Sequence, residues 1–329
     1  MLTLAIETSC DDTCAAVVEG ERALSNVISS QAAAHARYGG IVPEVASRHH
    51  VELINPVIDA ALADAECSLD RIEAVAVTRR PGLIGALLVG VSSAKAIAAA
   101  RGLPLIGVDH LHGHVAANFL APDPVEPPFI CLLASGGHTM LAGVRGHDGY
   151  EVLGRTLDDA AGEALDKGAR LLGLGFPGGP AIERAAVGGD PAAFDFPRAD
   201  SAKMGEGLDF SFSGVKTALL YAVRDLGAAA AERTADLAAS YQEAVVAQLA
   251  GRLERALGSG EWPAVALGGG VAANGPLRER VQSVCDARGL RLKLVERALC
   301  TDNAAMIGAA AAHLEPTPYP GYLAWDARA

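Results

Sequence analysis

The sequence predicts a layered α/β protein built of two related halves. Three observations carry this. Apolar strands alternate with helical stretches along the chain, one hairpin pattern occurs twice, and small residues build four turns. "LTLAIETSCDDTCAAVVEG" (2–20) reads as strand, polar turn, strand, and "FICLLASGGHTMLAGVRG" (129–146) has the same grammar. Ser9, Thr13 and Gly20 each stand 126 positions before Ser135, Thr139 and Gly146. Such self-similarity marks a duplicated unit.

The elements follow in order. After the first hairpin, 43–65 is a long helical stretch with Pro43 in its first turn. A buried strand at 72–78, a helix at 85–102 closed by Gly102 and a strand at 104–108 come next. The second half repeats the alternation, with helices at 158–173 and about 231–257, a strand at 264–270, a helix at 275–288, a strand at 291–295 and a helix at 303–313. The expected division is 1–109 with a returning helix at about 301–325, against 110–300.

The 329 residues give room for two domains at about 100–200 residues each. No uncharged apolar run reaches the ~18 residues of a membrane span, and Met1 leads straight into a strand rather than a signal peptide. Six scattered cysteines without CxxC spacing read as free thiols, so the expected location is cytoplasmic, with no membrane association. A net charge of −12 argues against a large nucleic-acid footprint. The stretch 278–297 and the pair Arg79–Arg80, read as a loop, offer local basic patches or merely solvated faces.

In such sheets ligands sit beyond the carboxyl ends of strands. The turns there are "ETSCDDT" (7–13), "ASGGHT" (134–139), "FPGGPA" (176–181) and "GGGVAAN" (268–274). Backbone N–H groups in such turns approach phosphates closely, which favours nucleotide or phosphate binding. None is a Walker or dinucleotide fingerprint. "HLHGH" (110–114) puts His110 and His114 one turn apart on one helix face, with His112 elsewhere. That spacing offers two imidazoles to one metal ion, though taken alone it better suits a polar surface helix with incidental histidines.

Nine segments in order resemble the TsaD (Gcp or Kae) family of tRNA N6-adenosine threonylcarbamoyltransferases: "IETSCDDT", "YGGIVPEVASRHH", "PGLIGALLVG", "HLHGH", "ASGGHT", "LDDAAGEALDKGARLLGLGFPGGP", "LDFSFSGVKTA", "GGGVAAN" and "CTDNAAMIG". The resemblance implies the actin-like ATPase (ASKHA) fold, two related lobes with a central cleft. It implies transfer of a threonylcarbamoyl group from threonylcarbamoyl-AMP to N6 of adenosine 37 in tRNAs reading ANN codons, with release of AMP. It also implies a TsaB-like paralogue and a TsaE-like ATPase as partners, and one divalent metal per subunit, Fe(II) favoured over Zn(II).

Carried over by resemblance, the metal ligands are His110, His114 and Asp302. The substrate contacts are Leu133, Ala134, Ser135, Gly136, Gly137, Asp166, Gly179 and Asn274, and Asp11 is the acidic position near the reacting centre. Two imidazoles and a carboxylate leave open positions, as a catalytic metal requires. Two departures stand out. Arg80 occupies the glycine of the family's T-x-G-P-G loop, so a positive φ there would be strained, and His112 replaces a usual Glu and should face away from the metal. Asn274 also suits a helix cap, Asp166 a surface carboxylate and Lys216 either a phosphate contact or a solvated helix position; His49 and His50 read as surface or packing residues. A small-molecule kinase of the same fold would not need the histidine pair with a distant Asp, and a non-catalytic scaffold should have lost it. A metalloprotease is excluded, because position 111 is Leu and no HExxH exists.

Overall fold

A computed structural model describes residues 1–198, 207–258 and 262–328. The chain divides into two compact units, Met1–Glu126 with Gly146–Gly149 and Thr301–Ala329, and Pro127–Arg145 with Tyr150–Cys300.

The first unit opens with β1 (Leu2–Glu7), β2 (Asp12–Glu19), β3 (Arg22–Ala23), β4 (Val27–Ser30) and α1 (Ala32–Ala36). It continues through α2 (Pro43–Asp64), β5 (Ala74–Arg80), α3 (Ile84–Arg101), β6 (Leu105–Asp109) and α4 (His110–Ala116). The sheet runs β3-β2-β1-β5-β6, with β4 also on β2; β1 is antiparallel to β2 and parallel to β5. Every residue of β1 is buried, as a central strand covered on both faces requires. Leu4, Ile6, Val17, Val75 and Val77 form a core with Ile54, Val57 and Ile58 of α2 and Val91 and Ala94 of α3. By length and composition α3 would suit a membrane span. It packs on β5 and α2, and its Lys95 ammonium donates to the carbonyls of Leu323 and Trp325.

The second unit contains β7 (Phe129–Ala134), β8 (Thr139–Gly146), β9 (Gly149–Arg155), α5 (Ala161–Leu171), α6 (Gly178–Ala185), α7 (Ser213–Leu226), α8 (Thr234–Gly258), β10 (Ala264–Gly268), α9 (Gly275–Asp286) and β11 (Arg291–Lys293). Its sheet order is β11-β10-β7-β8-β9. In both units a hairpin adds two parallel strands beside its first strand. The registers repeat as well: Thr3 pairs with Val18 and Phe129 with Val144, Glu7 with Cys14 and Leu133 with Met140, a constant displacement of 126. The duplication read from Ser9 and Thr13 therefore extends to the hydrogen-bond ladder.

The chain returns to the first unit with α10 (Ala304–Ala311), which packs on α4, β1 and β2. That packing explains why residues 110–126, expected with the second half, belong with the first. Arg79 and Arg80 form no loop, because they close β5. Arg79 lies over the Trp325 ring, 4.9 Å from its centroid, and Arg80 meets Asp109 at 3.3 Å. In the 278–297 stretch, Arg278 donates to the carbonyls of Ala272 and Val295, while Arg280 pairs with Glu243 and Arg288 with Glu254. These arginines are largely committed within the unit.

Candidate active site

The histidine helix begins where β6 ends. Asp109 caps α4, its Oδ1 accepting from the N–H groups of Leu111 and His112 at 3.0 and 3.2 Å. Arg80 sits on the other oxygen, at 3.3 Å from Oδ2, with ordinary extended backbone inside β5. Arg80 has no positive φ, so the anticipated strain is absent, and β5 runs through it with a register shift against β6 between Thr78 and Arg80. His110 and His114 then share one face, their ring centroids 4.7 Å apart. Asp302 arrives in the turn before α10, held by Asn303, whose side chain caps that helix through Met306 N–H at 3.0 Å. Its Oδ1 lies 3.6 Å from His110 Nε2 and 3.2 Å from His114 Nε2.

The three ligand atoms lie within 4.8 Å of one another, so His110, His114 and Asp302 can hold one metal ion. The fit is supported by what surrounds them. His114 Nε2 is shut off from solvent and faces Asp302 without hydrogen-bond geometry. His110 Nδ1 is engaged by Glu7 Oε2 at 2.9 Å and Ser9 Oγ at 3.1 Å, leaving Nε2 for a ligand. A carboxylate behind a ligating histidine fixes its orientation and raises its basicity. Glu7 is fully buried and also accepts from Thr78 Oγ1 at 2.5 Å. Burial alone would lower the His110 pKa, but the carboxylates of Asp302 and Glu7 outweigh it and push the metal-free imidazole up to about 9. Burial pulls His114 the other way.

Asp11 lies in the adjoining turn, its carboxyl raised by burial and then by the charge of Asp302. That turn is clamped by His50, which is buried, with Nδ1 2.7 Å from Thr13 Oγ1 and Nε2 3.0 Å from Cys10 O. His49 pairs on the surface with Glu52. His112 points off the trio, to the carbonyl of His147 at 3.0 Å, as its place on the helix predicts.

In the second unit the turn 134–139 follows β7, and the 268–274 turn follows β10, its parallel neighbour. Gly269 has φ +83° and Gly162 would bring a Cβ within 2.5 Å of Ser135 O, so the turns and the start of α5 meet backbone to backbone. Leu133 and Ala134 are buried at the strand end, Ser135 accepts from His138 N–H at 3.1 Å, and Gly136 and Gly137 have open space above them. Asp166 accepts from Gly178 N–H at 2.6 Å, bracing the start of α6 beside Gly179. Part of the expected "FPGGPA" turn is thus helix. Asn274 does cap α9, through Leu277 N–H at 3.0 Å, and its amide donates to Gln242 at 2.9 Å and Glu183 at 3.2 Å. Lys216 is held by Asp159 at 3.0 Å, as is Lys167 at 2.7 Å.

The family model of TsaD, tRNA N6-adenosine threonylcarbamoyltransferase, matches residues 22–309. The chain belongs to the TsaD family. A tRNA N6-adenosine threonylcarbamoyltransferase of Symbiobacterium thermophilum is 54% identical over 328 residues, covering 99% of this chain and 92% of the relative. One from Clostridium botulinum is 49% identical over 310 residues, covering 94% and 91%. Among solved structures, HypF of T. kodakarensis superposes with a TM-score of 0.62 at 15% identity, over 94% of this chain and 46% of its own. Component A of (R)-2-hydroxyglutaryl-CoA dehydratase from Acidaminococcus fermentans gives 0.56 at 14%, over 95% and 98%. These likenesses are of fold, the actin-like ATPase fold. Within this TsaD chain, Glu7 and Ser9 are the site residues that spacing missed. A charged residue inside the apolar run "LTLAIE" is the signal that could have exposed Glu7.

Proposed function

We propose that the protein transfers the threonylcarbamoyl group of threonylcarbamoyl-AMP to N6 of adenosine 37 in tRNAs reading ANN codons, releasing AMP. The observation that carries this reading is the convergence of His110, His114 and Asp302 in a chain about half identical to enzymes of that name. His110, His114 and Asp302 would hold one divalent metal, Fe(II) before Zn(II), which when bound polarises an acyl carbonyl as a Lewis acid. Glu7 keeps His110 turned toward that ion. The N–H groups of the 133–137 turn take the AMP phosphate, with Asp166, Gly179 and Asn274 at the nucleoside. Asn274 must then exchange one of its present partners for the ligand.

Attack by the N6 amine forms the N–C bond, the acyl C–O bond to phosphate breaks, and AMP leaves with the electron pair. The mixed anhydride is already activated, so positioning and charge stabilisation suffice without a covalent enzyme intermediate. Asp11, raised above an ordinary carboxyl by burial and Asp302, is the group we assign to orient or deprotonate the amine. A net charge of −12 favours help from partners, a TsaB-like paralogue and a TsaE-like ATPase, in docking tRNA, and we place the reaction in the cytoplasm.

The test supplies purified protein, its paralogue, unmodified tRNA and pre-made threonylcarbamoyl-AMP. The expected outcome is N6-threonylcarbamoyladenosine and AMP without ATP cleavage in the chemical step. Absent transfer, with phosphoryl transfer from ATP to a small molecule instead, would establish a kinase.

A further inference from the structure

The first unit carries a second group of metal-ligating side chains, which the proposed reaction does not use. Glu21 lies between β2 and β3, His147 between β8 and β9, and His313 just after α10. Each offers one ligand atom, and these lie within 4.8 Å of one another. We propose that Glu21, His147 and His313 form a second site for a divalent transition-metal ion of the zinc type.

The surroundings argue for a built site rather than a chance cluster. His313 Nε2 is shut off from solvent and makes no hydrogen bond, an unfavourable state for an imidazole nitrogen unless a ligand takes it. The His147 and His313 rings lie nearly parallel, centroids 4.5 Å apart, and Phe119 meets both edge-on at 4.8 and 5.7 Å. The segments are also fixed. His112 Nε2 engages the His147 carbonyl at 3.0 Å, and the Glu21 carbonyl accepts from Ala121 N–H at 2.9 Å. Glu126 Oε2 stands 3.3 Å from His147 Nε2, and Asp148 adds carboxylate charge near His313.

Two imidazole nitrogens and one carboxylate suit zinc-like ions, leaving a position for water, whereas calcium and magnesium prefer all-oxygen sets. The role that follows is structural, since the ion would join three turns distant in sequence.

The experiment strips the full-length protein of metal and titrates it with Zn(II) against a chromophoric chelator, with Co(II) absorption to report imidazole ligation. Wild type should take two equivalents, and Asp302→Ala should keep one, with a Co(II) spectrum and a Zn(II)-dependent rise in melting temperature. Adding His313→Gln to Asp302→Ala should abolish that remaining equivalent. His147→Gln in the same background should do likewise, and circular dichroism confirms that each variant is folded. An Asp302→Ala protein that binds no Zn(II), or whose binding survives both histidine substitutions, would overturn the proposal. The readout is metal stoichiometry, so it stands apart from any result on threonylcarbamoyl transfer.

Discussion

Glu7 shows what a single buried carboxylate does for the candidate centre. It reaches His110 at 2.9 Å from a strand 103 residues earlier, and it holds the imidazole with Nε2 toward Asp302. Glu7→Gln removes that charge at nearly constant shape, so metal affinity should fall about 10–100-fold while the fold persists. Calorimetric titration of the metal-free variant checks this, and unchanged affinity would remove Glu7 from the site. The spacing of His110 and His114 was legible because i, i+4 is a local rule. Asp302 was reachable only through resemblance, and Glu7 hardly at all, since nothing local ties either to α4. Asp12 gives a second test at this scale. Burial foremost, with repulsion from Asp11, Asp302 and Glu7 and against a hydrogen bond from Ser30, raises its carboxyl to about 7, and its Oδ1 is buried without a partner. The unfolded carboxyl titrates near ~4, so this stability is complete below that pH and is lost as pH rises through about 7. Asp12→Asn should therefore gain about 2–3 kcal/mol of stability over wild type between pH 5 and pH 8 in the metal-free protein. Equal melting temperatures at both values would contradict the assignment.

Among the elements, α10 decides where Asp302 sits. Its Gly308 packs against β2, where a Cβ would lie 2.8 Å from Val18 Cβ, an atom that cannot swing aside. Gly308→Ala should push the helix outward, costing about 1–3 kcal/mol and weakening metal binding together. Thermal unfolding with metal analysis tests the coupling, and a stability loss with full metal affinity would break it. Gly137 is the opposite case, with no positive φ and nothing within 4 Å of the position a Cβ would take. Gly137→Val should leave the melting temperature within about 1 °C yet weaken AMP binding strongly, because the side chain occupies the space a phosphate would enter. Unchanged AMP affinity would make that turn purely structural. The long helices α2, α3 and α8 were legible from periodicity and caps. By contrast, β9 is mostly solvent-accessible with weak alternation, and α6 starts inside "PGGP", where local chemistry reads as a turn and tertiary contact with Asp166 prevails.

At the level of the whole molecule, the duplication is the deepest feature the sequence made visible. A few small residues at a fixed displacement, Ser9 and Thr13 against Ser135 and Thr139, foretold two sheets of the same strand order. The two copies do different work. Where the first hairpin carries the buried Glu7, the second has Leu133, and among the described residues only the first gathers around its turn three side chains that could hold one metal ion. The assignment of residues 110–126 was less visible, because the packing of α4 on α10 links segments nearly 190 residues apart. The role we propose for this trio is threonylcarbamoyl transfer. It is tested most directly by single-turnover reaction of metal-loaded wild type and Asp302→Ala with labelled threonylcarbamoyl-AMP and unmodified tRNA, the nucleosides being read by mass spectrometry. Wild type should modify adenosine 37, and Asp302→Ala should lose at least about 100-fold in rate, about 3 kcal/mol of transition-state stabilisation. Undiminished transfer by Asp302→Ala would contradict that role.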